Sequence, residues 1–297
     1  MDINTANQEK HFTLTYLPLL IRLRCCEPVV LPPFLGSTLH GMLGWALLSH
    51  RELYRYLFEN RSLGGKSQDI VNPYFIDPPV YHERYARGDE LCFGLSLIGK
   101  AARCGREVAA ALGEVRFFEL GAARKKFELV EVLQAGRFQT IWKNGRMTSM
   151  ENLPVETVPG DMQTMCSHCS VHLQTPLRIR RKGELVTEVE FPRIIRSITR
   201  RIAELTERYG GYVNQEEIEM LIEKAQEVKL CSSGLYVNRL ERYSSRHKEK
   251  MDWSGLMGAL TFEGEMDAFT PWLNAARVLH IGRNVTLGYG KVDVAVW

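Results

Sequence analysis

The order of strands and helices repeats once along this 297-residue chain. Alternating apolar residues predict a strand at His11–Leu23, and apolar residues at helical spacing predict a helix over 38–58. A second cycle begins with a strand at His172–Arg180, continues with a helix that starts at Pro192, and ends with a strand at Val292–Trp297. This repeated order predicts two domains that each place helices against a sheet.

Further elements in each half complete the same pattern. The first half adds a strand at Glu90–Ile98, a helix at Ala102–Leu112 and a hairpin from Phe127 to Lys143. The second half adds a helix at Gln215–Val228, a strand at Gly255–Glu263 and a helix at Ala268–Leu279. This pattern is typical of the α+β ferredoxin-like fold. We therefore predict two tandem ferredoxin-like domains over 1–160 and 161–297, joined by a polar linker within 144–165.

Composition narrows the classes of function. Hydrophobic residues make up 45% of the chain, which is ample for packed cores. The net charge of +3 is only mildly basic, so a nucleic-acid site has to rest on local clusters of cations. No secretion signal and no run of about 18 apolar residues is found, so we expect a cytoplasmic protein without a membrane partner. The seven cysteines follow no regular framework and are expected to be reduced.

Glycine and basic residues alternate near the C-terminus. Gly282, Gly288 and Gly290 are interspersed with Arg283 and Lys291, just before the last strand. Glycine allows a positive φ or a close approach of another backbone, and a loop of this kind suits contact with a phosphate chain. A tight hairpin with incidental charges is the alternative, since a glycine motif alone is weak evidence.

Two histidines lie on the helix predicted over 38–58. His50 falls on the apolar stripe and is predicted to be packed. His40 falls off the stripe and lies in the first turn, where the helix dipole disfavours the imidazolium form. A neutral imidazole is what a general base needs near neutral pH, so His40 is a candidate base. An ordinary surface histidine is the alternative.

Cations cluster in three segments of the second half. The strand at His172–Arg180 ends in a basic run, the following helix carries a row of arginines one turn apart, and the segment 238–250 is the densest cluster. In the last segment the cations alternate with an aromatic and hydroxyl residues, which suits phosphate contact and base stacking. The candidate nucleic-acid-binding residues are Arg178, Arg180, Arg193, Arg196, Arg200, Arg242, Arg246, Lys248, Gly282, Arg283, Gly288, Gly290 and Lys291.

Two cysteines and two histidines lie close together at Cys166, His168, Cys169 and His172. This set resembles half of a zinc site. No second ligand pair follows at suitable spacing, and the two histidines fit an alternating strand pattern. We therefore predict no metal and no cofactor, and keep a zinc-stabilised interaction module as an alternative.

The second half resembles the C-terminal domain of the CRISPR pre-crRNA processing endoribonucleases of the RAMP superfamily, the sixth Cas family. The segments that carry the resemblance are Pro176–Ile179, the arginine-rich helix at Arg193–Arg201, Arg242–Arg246, Gly255–Gly258 and the closing Leu279–Lys291. In the first half, Phe34–Gly44 resembles the opening helix of that family. Tyr54–Phe58 and Pro73–Pro79 resemble the passage after it.

The resemblance implies tandem RAMP/RRM-like ferredoxin domains and a glycine-rich loop that contacts RNA. It also implies metal-independent cleavage of CRISPR repeat RNA, in which a 2′-hydroxyl attacks the phosphate and leaves a 2′,3′-cyclic phosphate. The family often uses a histidine in or after the opening helix, which implies His40 as base and His50 as second choice. Arg242, Arg246 and Lys248 would stabilise the phosphate, and Tyr243 and His280 are the implied proton donors.

The expected partners are pre-crRNA and other Cas proteins of an effector complex, with the chain acting as a monomer or homodimer. A non-catalytic RNA-binding RAMP subunit of an effector complex is the alternative function. It would share the fold and the glycine loop, but it would lack an acid–base pair.

Overall fold

The computed structural model describes residues 11–59, 71–149, 151–244 and 249–297, and describes side chains for all of these except 242–251. The first half consists of short and long strands around three α-helices. They are β1 (Phe12–Thr13), β2 (Thr15–Cys25), β3 (Val29–Val30), α1 (Gly36–Leu47), α2 (Arg51–Phe58), β4 (Tyr74–Asp77), β5 (Arg84–Tyr85), β6 (Glu90–Ile98), α3 (Gly105–Val115), β7 (Phe117–Leu120), β8 (Lys125–Gln134), β9 (Gln139–Lys143), β10 (Arg146–Met147) and β11 (Glu156–Thr157).

The second half has the same kind of elements. They are β12 (His168–Leu177), β13 (Arg180–Arg181), β14 (Glu184–Leu185), α4 (Phe191–Tyr209), β15 (Tyr212–Val213), α5 (Gln215–Lys224), β16 (Lys229–Ser233), β17 (Tyr236–Asn238), β18 (Glu241–Ser244), β19 (Glu249–Asp252), β20 (Gly255–Glu263), α6 (Thr270–Leu279) and β21 (Val292–Val296).

Both large sheets have the same topology. In the first, four antiparallel strands lie in the order β8-β2-β6-β4. Along the chain, α1 and α2 connect β2 to β4, and α3 connects β6 to β8. In the second, the order is β16-β20-β12-β21, with α4 and α6 in the equivalent places. This βαββαβ order defines the ferredoxin-like fold. The predicted fold class, α+β with two tandem ferredoxin-like domains, is confirmed.

The cores follow from the alternation in the strands. Every second residue of β2, from Leu17 to Leu23, is fully buried under the helices, because successive side chains of a strand point to opposite faces. The second core lies between β12, β20 and the helices α4 and α6. It also receives Phe12, Leu14, Phe75 and Ile98 from the first half, so the two domains share apolar contacts.

The helix predicted over 38–58 is two helices. α1 ends at Leu47, and His50 leaves the helical region with φ −96° and ψ 71° before α2 begins at Arg51. The ring of His50 lies at this junction and its Nε2 is 2.9 Å from Glu114 Oε2. The prediction that His50 is packed in the apolar stripe is therefore wrong. Its partner Glu114 lies on α3, far along the chain.

The predicted linker over 144–165 contains two short strands that extend the first sheet. β10 pairs with β9, and β11 pairs with β2. The domain boundary between residues 160 and 161 stays a prediction. Within the described residues, no helix is long and apolar enough to cross a membrane.

Candidate active site and nucleic-acid interface

The glycine-rich loop packs against the first domain. Gly288 has φ +84°, and a Cβ there would lie 2.7 Å from the carbonyl oxygen of Ile76 and would clash with Pro78. On the other side, Gly36 at the start of α1 lies so close to the backbone of Leu287 that it leaves no room for a side chain. Glycine is thus required on both sides of this contact.

This packing changes the expected role of the loop. Gly288 and Gly290 are buried, whereas Gly282 is half-buried and Arg283 is exposed. The predicted direct contact of all three glycines with RNA is therefore not what the structure shows for Gly288 and Gly290. Gly288 packs the loop against the first domain, Gly290 packs against the backbone of Ile281 within the loop, and the part around Arg283 faces solvent.

His40 lies next to this contact, one helical turn after Gly36. Its Nδ1 is hydrogen-bonded to the Tyr74 hydroxyl of β4 at 3.0 Å, and its ring stacks on Phe58 at 4.9 Å between centroids. The imidazole is half-buried rather than on an open surface, which corrects the expectation of an exposed side chain. Burial raises the pKa of Tyr74 well above its usual value, so its hydroxyl keeps its proton at neutral pH.

A group of partly or fully buried titratable side chains lies beneath the loop. Asp77 Oδ1 at the end of β4 is 2.9 Å from Lys291 Nζ and 3.2 Å from His280 Nε2. Burial alone would raise the pKa of Asp77, but the contacts with His280 and Lys291 outweigh it and hold that pKa well below its usual range. Arg201 of α4 is also buried and donates to the carbonyl oxygen of Leu279 at 2.6 Å.

The structure places His280 inside this group rather than at a surface. It is 1% exposed, and burial, together with Arg201 and Lys291, lowers its pKa against the opposing effect of Asp77. The predicted role of His280 as a proton donor to the RNA does not fit this position, since no substrate reaches a side chain buried there. Its pattern of contacts is that of a domain-joining residue.

Arg178 and Arg180 bind protein groups. Arg178 is buried, donates to the carbonyl oxygen of Asp252 at 2.9 Å, and lies 5.9 Å from the ring centroid of Trp253. Arg180 donates to Asp252 Oδ2 at 3.0 Å and to the carbonyl oxygen of Gly183. The prediction of a direct RNA contact therefore fails for Arg178 in this arrangement, whereas Arg180 keeps part of its guanidinium in solvent.

The arginine row on α4 flanks the bend of the glycine loop. Ser197 Oγ accepts a hydrogen bond of 2.8 Å from the backbone N–H of Gly282, which fixes the loop to this helix. Arg196, directly before Ser197, and Arg200, about one turn after it, are exposed, whereas Arg193, about one turn before it, is half-buried. Arg200 also pairs with Glu204 at 2.7 Å. Together with exposed Arg283, this row makes a basic surface beside the loop, which we call the α4 arginine surface.

The densest predicted cation cluster lies on the hairpin of β18 and β19. The strands pair in register from Glu241 with Asp252 to Ser244 with Glu249. Arg246 and Lys248 lie outside the described residues, and the side chains of Arg242 and Tyr243 lie outside them too. Their predicted contacts with phosphate stay predictions.

The cysteine and histidine group at 166–172 does not form a site. On β12, Cys169 points into the core, where burial raises its thiol pKa to about 12, whereas His168 and His172 point to the opposite face. Among the described residues, no three His, Cys, Asp or Glu side chains are grouped to hold a metal ion. The alternative of a zinc-stabilised module therefore has no support in the geometry.

Sequence reasoning missed three residues of this region. Tyr74 and Asp77 lie in a proline-rich passage that indicates only an extended chain, although a carboxylate that ends an apolar run is a signal of a buried partner. Arg201 falls on the apolar stripe of α4 between Ile198 and Ile202, which could have separated it from the exposed arginines. Their partners lie 34 residues away or further, and no spacing rule reaches that far.

Two family models match the two halves of the chain separately. Residues 14–155 match a family model described as an N-terminal domain. Residues 171–292 match the model of the CRISPR-associated endoribonuclease Cas6. This similarity to the Cas6 family covers the second half of the chain. No curated protein matches the sequence.

Solved structures of Cas6 proteins share the fold over nearly the whole chain. A partial Cas6-RT-Cas1–Cas2 complex has a TM-score of 0.65 and 14% identity over 97% of this chain, which spans only 47% of that longer chain. A product complex of a Thermus thermophilus Cas6 has a TM-score of 0.62, with 15% identity over 94% of this chain and 100% of that one. Another Cas6 product complex has a TM-score of 0.57, with 20% identity over 95% and 99%. At these identities the likeness establishes the fold.

Proposed function

We propose that this chain is an endoribonuclease that cleaves CRISPR repeat RNA to produce crRNAs. The observation that carries the proposal is the position of His40 in a chain with a Cas6 domain. It lies where α1, β4 and the glycine-rich loop meet, at the junction of the two domains. Two of the similar Cas6 structures are product complexes, and one is of a variant with a histidine replaced by alanine.

The proposed reaction needs no metal. The 2′-hydroxyl upstream of the scissile phosphate attacks it, a base removes the hydroxyl proton, and an acid protonates the leaving 5′-oxygen. The products are a 2′,3′-cyclic phosphate and a 5′-hydroxyl. His40 acts as the base through Nε2 in the tautomer whose Nδ1–H donates to the Tyr74 oxygen, so Tyr74 positions the base. Tyr243 stays the proposed acid.

The proposed partners follow from the reaction and from the comparisons. Repeat RNA binds along the α4 arginine surface and the exposed part of the glycine loop, where cations face solvent. Other Cas proteins are further proposed partners, because a similar chain is part of a complex that contains Cas1 and Cas2. CRISPR transcripts arise in the cytoplasm, and we place the activity there.

The test is incubation of the full chain with end-labelled repeat RNA in EDTA. Cleavage to a cyclic phosphate end is expected, and a substrate with 2′-deoxyribose at the attacking nucleotide should stay intact. His40→Ala should slow cleavage by about 10²- to 10⁴-fold with little change in RNA binding. His50→Ala is the matched control, since His50 pairs with Glu114 away from the loop and should cleave at the normal rate.

Three outcomes contradict the proposal. Cleavage of the 2′-deoxy substrate would exclude attack by the 2′-hydroxyl, and loss of cleavage in EDTA would exclude a metal-independent reaction. Tight, salt-sensitive binding without cleavage would instead support the non-catalytic RAMP subunit.

A further inference from the structure

We propose that a groove beside His40, lined by Pro32–Leu35 and Pro78–His82, binds one unpaired nucleobase of the RNA next to the scissile phosphate. This inference rests on the proposed function. The space between the two walls is about 220 Å³ and is open to solvent. It is an open groove rather than a closed cavity, because a site that binds one nucleotide of a long RNA must leave the rest of the chain outside.

The groove exists because two prolines interrupt a strand pairing. β3 pairs with β5 through Val29–Tyr85 and Val30–Arg84, and the N–H of Leu31 donates to the carbonyl oxygen of Glu83 at 2.9 Å. Pro32 and Pro33 have no N–H, so the ladder cannot continue past Leu31. The two segments separate beyond that point and form the walls of the groove.

Both walls are held rigidly by the glycine-rich loop. The ring of Phe34 packs edge-on against Tyr289 at 4.7 Å between centroids, and Tyr289 is buried with its hydroxyl bonded to the carbonyl oxygen of Trp253. On the other wall, Pro78 lies directly against Gly288. Four prolines also fix the backbone of the walls. A preformed groove loses little entropy when it is occupied.

The lining chemistry fits a flat, neutral ring. Tyr81 is 56% exposed, Val80 is 93% exposed, and the exposed ring of His82 is braced edge-on against buried Tyr85 at 4.9 Å. The lining residues include no carboxylate, lysine or arginine, so the groove has no permanent charge that would favour a phosphate over a neutral base. Exposed aromatic faces are how proteins hold unstacked RNA bases.

The position of the groove relates it to the reacting phosphate. Leu35 immediately precedes α1, and His40 is five residues further on, about 7.5 Å along the helix axis. The opposite wall continues directly from β4, which carries the Tyr74 partner of His40. A phosphate at His40 therefore places a flanking nucleotide within reach of Tyr81 and His82. The same two segments thus supply the base of the reaction and the groove for the nucleobase.

The experiment is a binding cycle between protein and RNA variants. The full chain is titrated with non-cleavable repeat RNA, 2′-deoxy at the attacking nucleotide, either intact or abasic at each nucleotide flanking the scissile phosphate. Tyr81→Ala should raise the Kd by about 10-fold, in the range of one lost base stack. Tyr212→Ala is the control, because Tyr212 is equally exposed at 54% and lies on β15.

The cycle separates this proposal from the proposed function. Removal of the base at one position should weaken binding to the wild type by the same factor as Tyr81→Ala does. The same abasic RNA should bind Tyr81→Ala no more weakly than intact RNA does. If every abasic position raises the Kd of the wild type and of Tyr81→Ala by the same factor, the groove does not hold a base, even though cleavage persists. The same conclusion follows if Tyr81→Ala and Tyr212→Ala bind RNA equally well. If the wild type neither binds nor cleaves repeat RNA, the proposed function itself fails. Circular dichroism of each variant verifies folding.

Discussion

The Oδ1 atom of Asp77 lies 2.9 Å from Lys291 Nζ, and this ion pair joins the two domains beneath the glycine-rich loop. Lys291 is an expected RNA contact, yet its charge is already balanced by a carboxylate from the other domain. The pair lies where β4 ends and β21 is about to begin, the two points that fix the loop. Asp77 thereby determines where both Lys291 and His280 lie.

Replacing Asp77 by asparagine should destabilise the protein by about 1–2 kcal/mol. This is less than the 3–5 kcal/mol typical of breaking a fully buried pair. The side chains of Asp77 and Lys291 remain 28% and 36% exposed, and solvent screens the charges that are left. Urea unfolding of Asp77→Asn, Lys291→Met and the double variant measures the coupling energy between the two side chains. If the losses in the free energy of unfolding were strictly additive, Asp77 and Lys291 would not interact.

Acidification should destabilise the protein through His280. Its folded pKa is lowered by burial, with Arg201 and Lys291 adding to the effect and Asp77 opposing it, so the unfolded chain binds the proton more readily. Stability should therefore fall as the pH drops below about 6.5, the unfolded value, by at most about 1.4 kcal/mol per pH unit. Asp77, whose folded pKa is lowered, adds a further loss below about pH 4.

Unfolding free energies of the wild type and of His280→Gln between about pH 5 and pH 7 test this. The variant should have a flatter profile, because glutamine does not titrate. Equal slopes would assign the pH dependence to other groups.

Gly288→Ala should weaken RNA binding and destabilise the domain junction. The new Cβ would clash with Pro78 and would need a positive φ that alanine disfavours. Gly145→Ala is the matched control, since Gly145 has φ +82° with nothing within 4 Å of a new Cβ. The control isolates the conformational cost of about 1 kcal/mol, and Gly288→Ala should lose about 1–3 kcal/mol more. If thermal unfolding showed the same loss of stability for Gly288→Ala and Gly145→Ala, and if the Kd for RNA were unchanged, the loop would not have a packing role against the first domain.

Arg196→Ala should reduce the salt dependence of RNA binding. Each phosphate contact contributes about 0.7–0.9 to the slope of log K against log salt, so the slope should fall by about that amount. Arg124→Ala, at an exposed arginine of the first domain, removes the same charge elsewhere. If both variants changed the slope equally, the α4 arginine surface would not be the surface that binds RNA phosphates.

Local patterns predict the strands well. Glu90–Ile98 and Gly255–Glu263 have the predicted bounds, because their apolar residues alternate and turn residues flank them. The helix over 38–58 was predicted as one piece, since apolar spacing continues across residues 48–50. The backbone of His50 nevertheless leaves the helical region, and its ring contacts Glu114 of α3, which no local pattern contains.

The candidate site is harder to predict, because its residues meet only across the domain junction. The glycines at 282–290 indicate a close backbone approach, but only the contacts with Gly36 and Pro78 reveal that Gly288 approaches protein rather than RNA. The position of Arg201 on the apolar stripe of α4 distinguishes it from exposed Arg200, but only the structure reveals its partner, the carbonyl oxygen of Leu279.

The contact between Gly36 and Leu287 has a consequence for how activity responds to heat. His40 belongs to one domain and the glycine loop to the other, so the distance between them depends on how the two sheets are oriented across their shared apolar contacts. A small rotation at the junction would separate them while both sheets stay intact. Cleavage should therefore be lost at a lower temperature than the cooperative unfolding of either domain, as a comparison of activity and calorimetry would reveal.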